Sequence, residues 1–228
     1  MKLNLIKRKA EVPGVESFIF KPREPMLWKA GQFFHYVLHH EPTDDRGSDR
    51  WFTISAAPSE GVIMITTRFT TDKGSSFKKT LADLKIGDAI EVSDLDGDFI
   101  VEDLTKEYVF IAGGIGITPI RSILKDLDQS GKKINAILLY ANRDKNIVFK
   151  EELETFAKNN PTLKIHYVTA PERIDVTKIK ELVPDLQKPI FYISGPEPMV
   201  ESLGKALKEA GITADHLKQD WFPGYPAE

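Results

Sequence analysis

The chain of 228 residues contains no cysteine. Disulfide bonds, thiolate zinc sites, cysteine-ligated iron–sulfur clusters and a thiol nucleophile are therefore excluded. The pattern of the remaining residues predicts no metal site either.

The chain also lacks an excess of charge of one sign and a long hydrophobic run. Its formal net charge of −3 gives no basic footprint for nucleic acid. The first ten residues are interrupted by charged and polar side chains, so they have no signal-peptide core. The apolar run around Tyr108–Ile120 is too short and too rich in glycine to span a bilayer. We therefore expect a cytoplasmic protein with no membrane span and no nucleic-acid partner.

The first hundred residues contain short runs of β-branched and aromatic residues separated by turn sequences, which predicts a small antiparallel barrel. One helix interrupts these runs at about Ser75–Leu84, with Phe77, Leu81 and Leu84 on one face. The polar segment Glu41–Asp49 is predicted to be a mobile hairpin tip. The predicted strands are Val15–Phe20, Phe33–His39, Trp51–Ser55, Val62–Arg68 and Ala89–Val92.

After Leu104, strands and helices alternate, which predicts a parallel sheet with helices on both faces. The chain is thus expected to contain one domain over residues 1–103 and a second over residues 104–228. The predicted strands are Tyr108–Ala112, Ile134–Tyr140, Lys164–Val168, Ile190–Ser194 and His216–Trp221, and the predicted helices are Pro119–Gln129, Phe149–Lys158, Val176–Leu182 and Pro198–Ala210.

The segment Arg50-Trp51-Phe52-Thr53-Ile54-Ser55 places a cation, an aromatic ring and a hydroxyl in a row on a predicted strand. Alternation puts Arg50, Phe52 and Ile54 on one face, and Trp51, Thr53 and Ser55 on the other. Such a strand suits a flavin, with Arg50 on its diphosphate, Phe52 against its ring and Thr53 bonded to it. An ordinary barrel strand with a surface arginine is the alternative.

Arg68 and the segment Lys73-Gly74-Ser75-Ser76 form a second candidate. Gly74 permits close approach of the backbone, and Ser75 and Ser76 open a helix whose free amides attract phosphate. Simple helix capping by Ser75 explains the same residues.

The segment Gly113-Gly114-Ile115-Gly116-Ile117-Thr118-Pro119 lies between a predicted strand and a predicted helix. This position lets the backbone approach a nucleotide diphosphate at the helix start, although the spacing is not the G-x-G-x-x-G fingerprint. A tight turn without a ligand is the alternative.

Two further segments indicate a binding site only when they are considered together with these motifs. Ser194-Gly195-Pro196-Glu197-Pro198-Met199 follows a later strand at the same sheet edge, where open α/β sheets bind ligands. Asp220-Trp221-Phe222-Pro223-Gly224-Tyr225 offers aromatic rings that could cover a flat ring or simply pack against the protein.

Taken together, these motifs resemble the ferredoxin–NADP reductase superfamily along the whole chain. The resemblance implies an antiparallel six-stranded β-barrel that binds FAD and a following α/β domain that binds NADP or NAD. In that family an R-x-[YF]-[ST] strand binds FAD, a G-x-x-S helix start holds its diphosphate, a G-G-x-G-x-x-P loop binds the pyridine nucleotide and C-G-P-x-x-M flanks the nicotinamide. The matching residues here are Arg50, Phe52, Thr53, Gly74, Ser75, Ser76, Gly113, Gly114, Gly116, Thr118, Pro119, Gly195, Pro196 and Met199, and Gly31-Gln32-Phe33 is similar to the family's P-G-Q-[FY] strand start.

Two departures from the family pattern stand out. Ser194 replaces a frequent cysteine near the hydride-transfer site, and Phe52 replaces a commoner tyrosine. We expect Thr53, Ser194 and Trp221 at the reaction centre, with Trp221, Phe222 or Tyr225 covering the flavin ring. Arg143 and Lys145, which follow the second strand of the α/β domain, and Arg173, which follows the third, are candidates for a 2′-phosphate of NADPH, and Arg143 is the residue that we assign to the site.

The resemblance implies an FAD-dependent NAD(P)H oxidoreductase that passes electrons to a separate acceptor. That acceptor is a soluble carrier protein of the ferredoxin or flavodoxin type, or a small molecule. Two alternatives remain open: a reductase that uses free flavin as a substrate, and a non-catalytic nucleotide-binding subunit of a larger redox complex.

Overall fold

Six antiparallel strands form the first sheet of the computed structural model, which describes residues 1–69 and 74–222. The strands are β1 (Lys2–Val12), β2 (Val15–Pro22), β3 (Phe33–Val37), β4 (Asp49–Thr53), β5 (Ile63–Arg68) and β6 (Ala89–Asp96). Their order is β4-β3-β6-β1-β2-β5, and the sheet curls until the Ser55 amide donates to the Met64 carbonyl at 2.8 Å. This confirms the predicted antiparallel six-stranded domain, in the form of a half-barrel.

Strand β1, which the sequence patterns did not locate, lies in the middle of this sheet between β6 and β2. Leu3 and Leu5 are fully buried, but a register shift follows Leu5, and residues 6–10 are exposed. Because such a bulge breaks the two-residue period, the second half of β1 carries no strand pattern.

The helix between β5 and β6 forms as predicted. Helix α1 spans Ser76–Asp83, and the Ser75 hydroxyl caps it by accepting a hydrogen bond from the Lys78 amide at 3.2 Å. Phe77 and Leu81 are fully buried, and Leu84 is 8% exposed. The apolar face of the helix is therefore the one that its spacing predicts.

The second sheet is parallel, with the order β11-β10-β7-β8-β9. Its elements are β7 (Glu107–Gly113), α2 (Ile117–Gln129), β8 (Asn135–Asn142), α3 (Lys150–Asn159), β9 (Leu163–Thr169), α4 (Val176–Leu182), β10 (Ile190–Pro196), α5 (Glu197–Glu209) and β11 (Leu217–Phe222). The strand order reverses direction between β7 and β10, and ligands of such sheets bind in the crevice beyond the carboxyl ends at that point.

Each face of the second sheet packs into its own core. Val109 and Ile111 of β7 face a core that also contains residues of α4 and α5. Phe110 and Ala112 face the opposite way, into a core with α2, α3 and the apolar side chains of the first sheet. Helices therefore cover both faces, as predicted, and the two sheets share one continuous apolar core. The domain limits of 1–103 and 104–228 stay a prediction.

None of the helices in the described part of the chain has the length and hydrophobicity that crossing a membrane requires.

Candidate functional site

The two loops at the switch point of the second sheet touch each other. A Cβ added to Gly116 would lie 2.2 Å from the Ser194 carbonyl oxygen, and one added to Gly113 would lie 2.6 Å from Met199 Sδ. Gly195 is equally confined, since a Cβ there would lie 2.8 Å from Met199 Cε. A side chain at any of these three positions would clash, because the loop after β7 packs tightly against the loop after β10.

Gly114 differs from its neighbours in this loop. It has a φ of +52°, and a Cβ built on it meets nothing within 4 Å. The Tyr140 hydroxyl of β8 donates to the Gly114 carbonyl at 3.0 Å and supports the turn. Of the glycines in the predicted nucleotide motif, Gly114 is the one with open space beside its backbone.

A 3₁₀ turn over Gly114–Gly116 leads directly into helix α2. No described side chain caps the first turn of α2, and the Ile117 amide already donates to the Gly114 and Ile115 carbonyls, so the 3₁₀ turn rather than the first amide of α2 faces a ligand at this point. Thr118 and Pro119 are buried, and the Thr118 hydroxyl donates to the Ile115 carbonyl at 3.1 Å. Their role in this structure is to shape the turn, and only the backbone is available to a ligand.

Strand β4 shows the alternation that the sequence predicts. Phe52 packs against Phe77 of α1 with ring centroids 5.7 Å apart, and the Arg50 guanidinium lies 5.7 Å from the same ring. Trp51 lies against His35 of β3 at 4.7 Å and remains 51% exposed. Arg50 and Phe52 thus share the side of the strand that faces α1.

The end of β4 carries buried hydroxyl groups. Thr53 Oγ1 and Ser55 Oγ have no hydrogen-bond partner among the described residues, while Ile54 is fully buried. A buried hydroxyl without a partner is costly, and a polar group of a bound ring would satisfy it. The Thr53 hydroxyl therefore fits the predicted role beside a flavin.

The two predicted ligands of the flavin diphosphate share a partner that the sequence patterns did not reveal. Asp44 Oδ2 accepts from the Ser76 amide at 2.7 Å, and Asp44 Oδ1 accepts from Arg50 Nη2 at 3.3 Å. The hydrogen bond from the Ser76 amide, helped by the charges of Arg46 and Arg50, holds the pKa of Asp44 below its usual value. The predicted mobile hairpin tip is thus fastened to the start of α1.

A buried arginine, which sequence reasoning also missed, joins the two predicted cofactor motifs. Arg121 of α2 is 5% exposed and donates through Nη1 to the Ser55 carbonyl at 3.0 Å. Its guanidinium also pairs with Glu152 at 2.8 Å and with Glu60. The neighbouring Ser122 hydroxyl donates to the Ala56 carbonyl at 2.7 Å. Helix α2, which starts at the glycine turn, therefore fixes the backbone that follows β4.

Ser194 and Asp220 lie side by side on β10 and β11. The Ser194 hydroxyl is fully buried and lies 3.5 Å from Asp220 Oδ2. Burial raises the pKa of the Asp220 carboxyl to about 7, although the Ser194 hydroxyl opposes this shift. Trp221 is 51% exposed, and Phe222 packs against the shared core.

The remaining predicted site residues lie at separate points around these loops. Arg68 ends β5, and its charge partly opposes the burial that raises the pKa of the Tyr140 hydroxyl. Arg143 is exposed just after β8, the position expected for a residue that reads the nucleotide. Gly74 precedes the cap of α1, and Pro196 contacts Gly113. Lys73 and Pro223–Tyr225 lie outside the described residues.

Comparison with known proteins agrees with this architecture. Residues 110–205 match the family model of the oxidoreductase NAD-binding domain. The ferredoxin reductase component of 3-ketosteroid-9-alpha-monooxygenase from Rhodococcus rhodochrous is 27% identical over 207 residues, which is 88% of this chain and 57% of that protein. The chain thus spans little more than half the length of this curated relative.

Solved structures share the fold over almost the whole chain. The FAD/NAD-binding domain of nitric oxide dioxygenase from Vibrio cholerae superposes with a TM-score of 0.83 at 20% identity, covering 97% of this chain and 98% of that one. Ferredoxin-NADP+ reductase from Plasmodium falciparum gives 0.83 at 19% identity, with coverages of 97% and 95%.

The matching proteins include a ferredoxin reductase component and a ferredoxin-NADP+ reductase, which agrees with the resemblance of the motifs to the ferredoxin–NADP reductase superfamily. The comparisons also support the predicted enzyme class, an FAD-dependent NAD(P)H oxidoreductase, and the predicted cofactors, FAD with NAD or NADP.

Proposed function

We propose that this chain is a flavoprotein reductase that passes hydride from NAD(P)H to bound FAD and electrons onward to a separate carrier. The hydrogen bond from Arg121 to the Ser55 carbonyl carries the proposal. Hydride transfer requires two cofactors in fixed contact. This bond fixes the segment after the predicted flavin strand to the helix that starts at the predicted nucleotide turn.

In this proposal FAD, when bound, accepts a hydride and releases electrons singly or in pairs. The residues of the chain supply binding and orientation. Phe52 offers a ring surface, and the buried Thr53 hydroxyl gains a partner. Arg50 and the first turn of α1 face the diphosphate.

The second sheet would hold the nicotinamide nucleotide. Gly114 and the backbone of the 3₁₀ turn before α2 would bind its diphosphate. Gly195, Pro196 and Met199 pack against Gly113 and would form the surface on which the nicotinamide is bound. Ser194 and Trp221 lie at the same sheet edge, where we place the reaction.

The proposed acceptor is a soluble protein of the ferredoxin or flavodoxin type. The relative described as a ferredoxin reductase component of a monooxygenase supports a protein acceptor. A small-molecule acceptor and a cytoplasmic location remain predictions beside this one.

An anaerobic absorbance titration tests the proposal. Protein loaded with FAD is titrated with NADPH and, separately, with NADH, while the flavin band near 450 nm is recorded. Bleaching by either nucleotide supports the reductase function. A bound flavin that neither nucleotide bleaches would rule out the reductase function. Protein that binds no flavin would also contradict the proposal, because the proposal requires bound FAD.

One observation favours a second candidate, a reductase that takes free flavin as a substrate. Asp44 engages both Arg50 and the Ser76 amide, so the donors expected for a tightly held diphosphate already have an anion. Size-exclusion chromatography of FAD-loaded protein separates the two functions. Flavin that co-elutes indicates a cofactor, while flavin that is lost but is reduced in solution indicates a substrate.

A further inference from the structure

We infer that Asp44 is an internal competitor for the flavin diphosphate, which lowers the affinity of the site for FAD. This inference rests on the proposed function, because it concerns the site at which that function places FAD. It adds a residue that no motif of the sequence contains.

The contacts of Asp44 are those of a bound anion. Asp44 Oδ2 accepts from the Ser76 amide at 2.7 Å, and Asp44 Oδ1 accepts from the Arg46 amide at 3.0 Å and from Arg50 Nη2 at 3.3 Å. Its own backbone amide donates to Ser76 Oγ at 3.0 Å, so the loop between β3 and β4 is fastened to α1 by two hydrogen bonds. The carboxylate therefore occupies the position between the helix start and the arginine.

The negative charge of Asp44 makes its carboxylate a competitor of the FAD diphosphate for these donors. A helix start and a guanidinium both bind phosphate oxygens through charge-assisted hydrogen bonds, and a carboxylate uses the same donors. A diphosphate that reaches Arg50 and Ser76 has to displace Asp44 or lie against its negative charge. If the loop releases Asp44 only about one tenth of the time, the apparent affinity for FAD falls about tenfold.

The remainder of the loop can stay in place when Asp44 moves. Arg50 Nη1 also donates to the carbonyls of Arg46 at 2.6 Å and Gly47 at 3.3 Å. These bonds hold the guanidinium from the backbone, so Arg50 keeps contacts that do not involve the Asp44 carboxylate, and the Gly47 amide, which donates to the Asp44 carbonyl at 3.0 Å, still closes the turn when that carboxylate is removed. Removal of the carboxylate should therefore leave a site that is ready for a phosphate.

The test compares FAD with riboflavin, which has the same ring system but no phosphate. Both are titrated into the flavin-free chain, and binding is followed by flavin fluorescence, for the wild type, Asp44→Asn and Asp44→Ala. Asp45→Asn is the matched control, because it removes one charge from the neighbouring exposed residue. We expect both Asp44 variants to bind FAD about tenfold more tightly, with little change for riboflavin or in the control.

Three results would overturn the inference. Unchanged FAD affinity in both Asp44 variants, with FAD still bleached by NAD(P)H, would reject the competition and leave the proposed function intact. Weaker FAD binding in both variants would show that Asp44 builds the site. If neither the wild type nor the Asp44 variants bind FAD, the proposed function fails together with the inference.

Discussion

Arg121 Nη1 on helix α2 donates to the Ser55 carbonyl, which lies just beyond strand β4, at 3.0 Å. The contact joins residues 66 positions apart and connects the two motifs that suggest the function. Because Arg121 is buried with two carboxylates around it, the contact is both a structural clamp and a fixed link between the proposed cofactor sites.

Arg121→Ala should destabilise the protein by about 2–4 kcal/mol, because it removes the buried guanidinium that the half-buried carboxylates of Glu60 and Glu152 share. Glu152 then keeps Lys125 at 3.3 Å, and Glu60 keeps the Ala57 amide at 2.7 Å. Urea unfolding followed by circular dichroism measures the change. Arg173→Ala, which removes an exposed arginine, should stay within about 0.5 kcal/mol of the wild type. Equal stability of both variants would mean that the network contributes nothing net.

Thr53→Val should leave the free energy of unfolding unchanged or slightly higher, since it removes a buried hydroxyl without a described partner. Reduction of bound flavin by NAD(P)H should slow roughly fivefold, the equivalent of one lost hydrogen bond of about 1 kcal/mol. Stopped-flow absorbance measures the rate. Thr67→Val removes another such hydroxyl and serves as the control, with an unchanged rate.

Gly116→Ala and Gly114→Ala should differ in stability although they lie in the same turn. The added Cβ of the first lies against the Ser194 carbonyl, so we expect a loss of about 2–3 kcal/mol. That of the second enters open space, and its positive φ costs about 1 kcal/mol. Thermal unfolding of the two variants and the wild type measures both losses of stability. A larger loss for Gly114→Ala would show that the two loops do not pack as described.

Stability should fall as pH rises from about 4 to 7, through Asp220. Its pKa of about 7 in the folded protein exceeds the ordinary value of 3.8, so the folded state binds more protons between these values. Asp220→Asn should remove roughly 2 kcal/mol of this loss, as measured by urea unfolding at pH 5 and pH 7.5. Glu201→Gln, an exposed control on α5, should keep the difference of the wild type. A variant that retains the full difference would exclude Asp220 as its source.

Arg143→Ala should weaken the binding of NADPH about tenfold and leave the binding of NADH nearly unchanged, because the 2′-phosphate of NADPH loses one charge-assisted contact. The measured quantity is the KM of each nucleotide in flavin reduction. Lys132→Ala, which removes an exposed cation before β8 at the opposite edge of the sheet, should leave both values unchanged. An unchanged preference in Arg143→Ala would remove this residue from nucleotide selection.

The second domain was predictable because its signals are local. Each buried strand is a short apolar run, each helix has an apolar stripe, and a β-α alternation admits few topologies. The predicted limits of α4, Val176–Leu182, coincide with those of the structure. Strand β1 escaped detection since a bulge after Leu5 interrupts its period, and its pairing with β2 and β6 is what holds it.

The predicted motifs fall where the sequence suggested, but their contacts were not readable from it. Gly113 and Gly116 look like residues that make room for a ligand, yet their neighbours are Met199 and Ser194. Arg50 looks like a phosphate ligand, yet it already pairs with Asp44. Local pattern shows which residue types occur together along the chain, and it does not show which distant side chain reaches them.

By itself, the sequence determined the fold class and the positions of the two predicted cofactor motifs along the chain, because backbone propensity, hydrophobic period and turn chemistry act over a few residues. The tertiary structure alone decided how these motifs meet. Arg121 reaches Ser55 only after the two sheets have packed around their common core, and Asp44 reaches the start of α1 only when the strands of the first sheet have paired. Such contacts join residues far apart in the chain, and their energy depends on burial and charge that exist only in the folded protein.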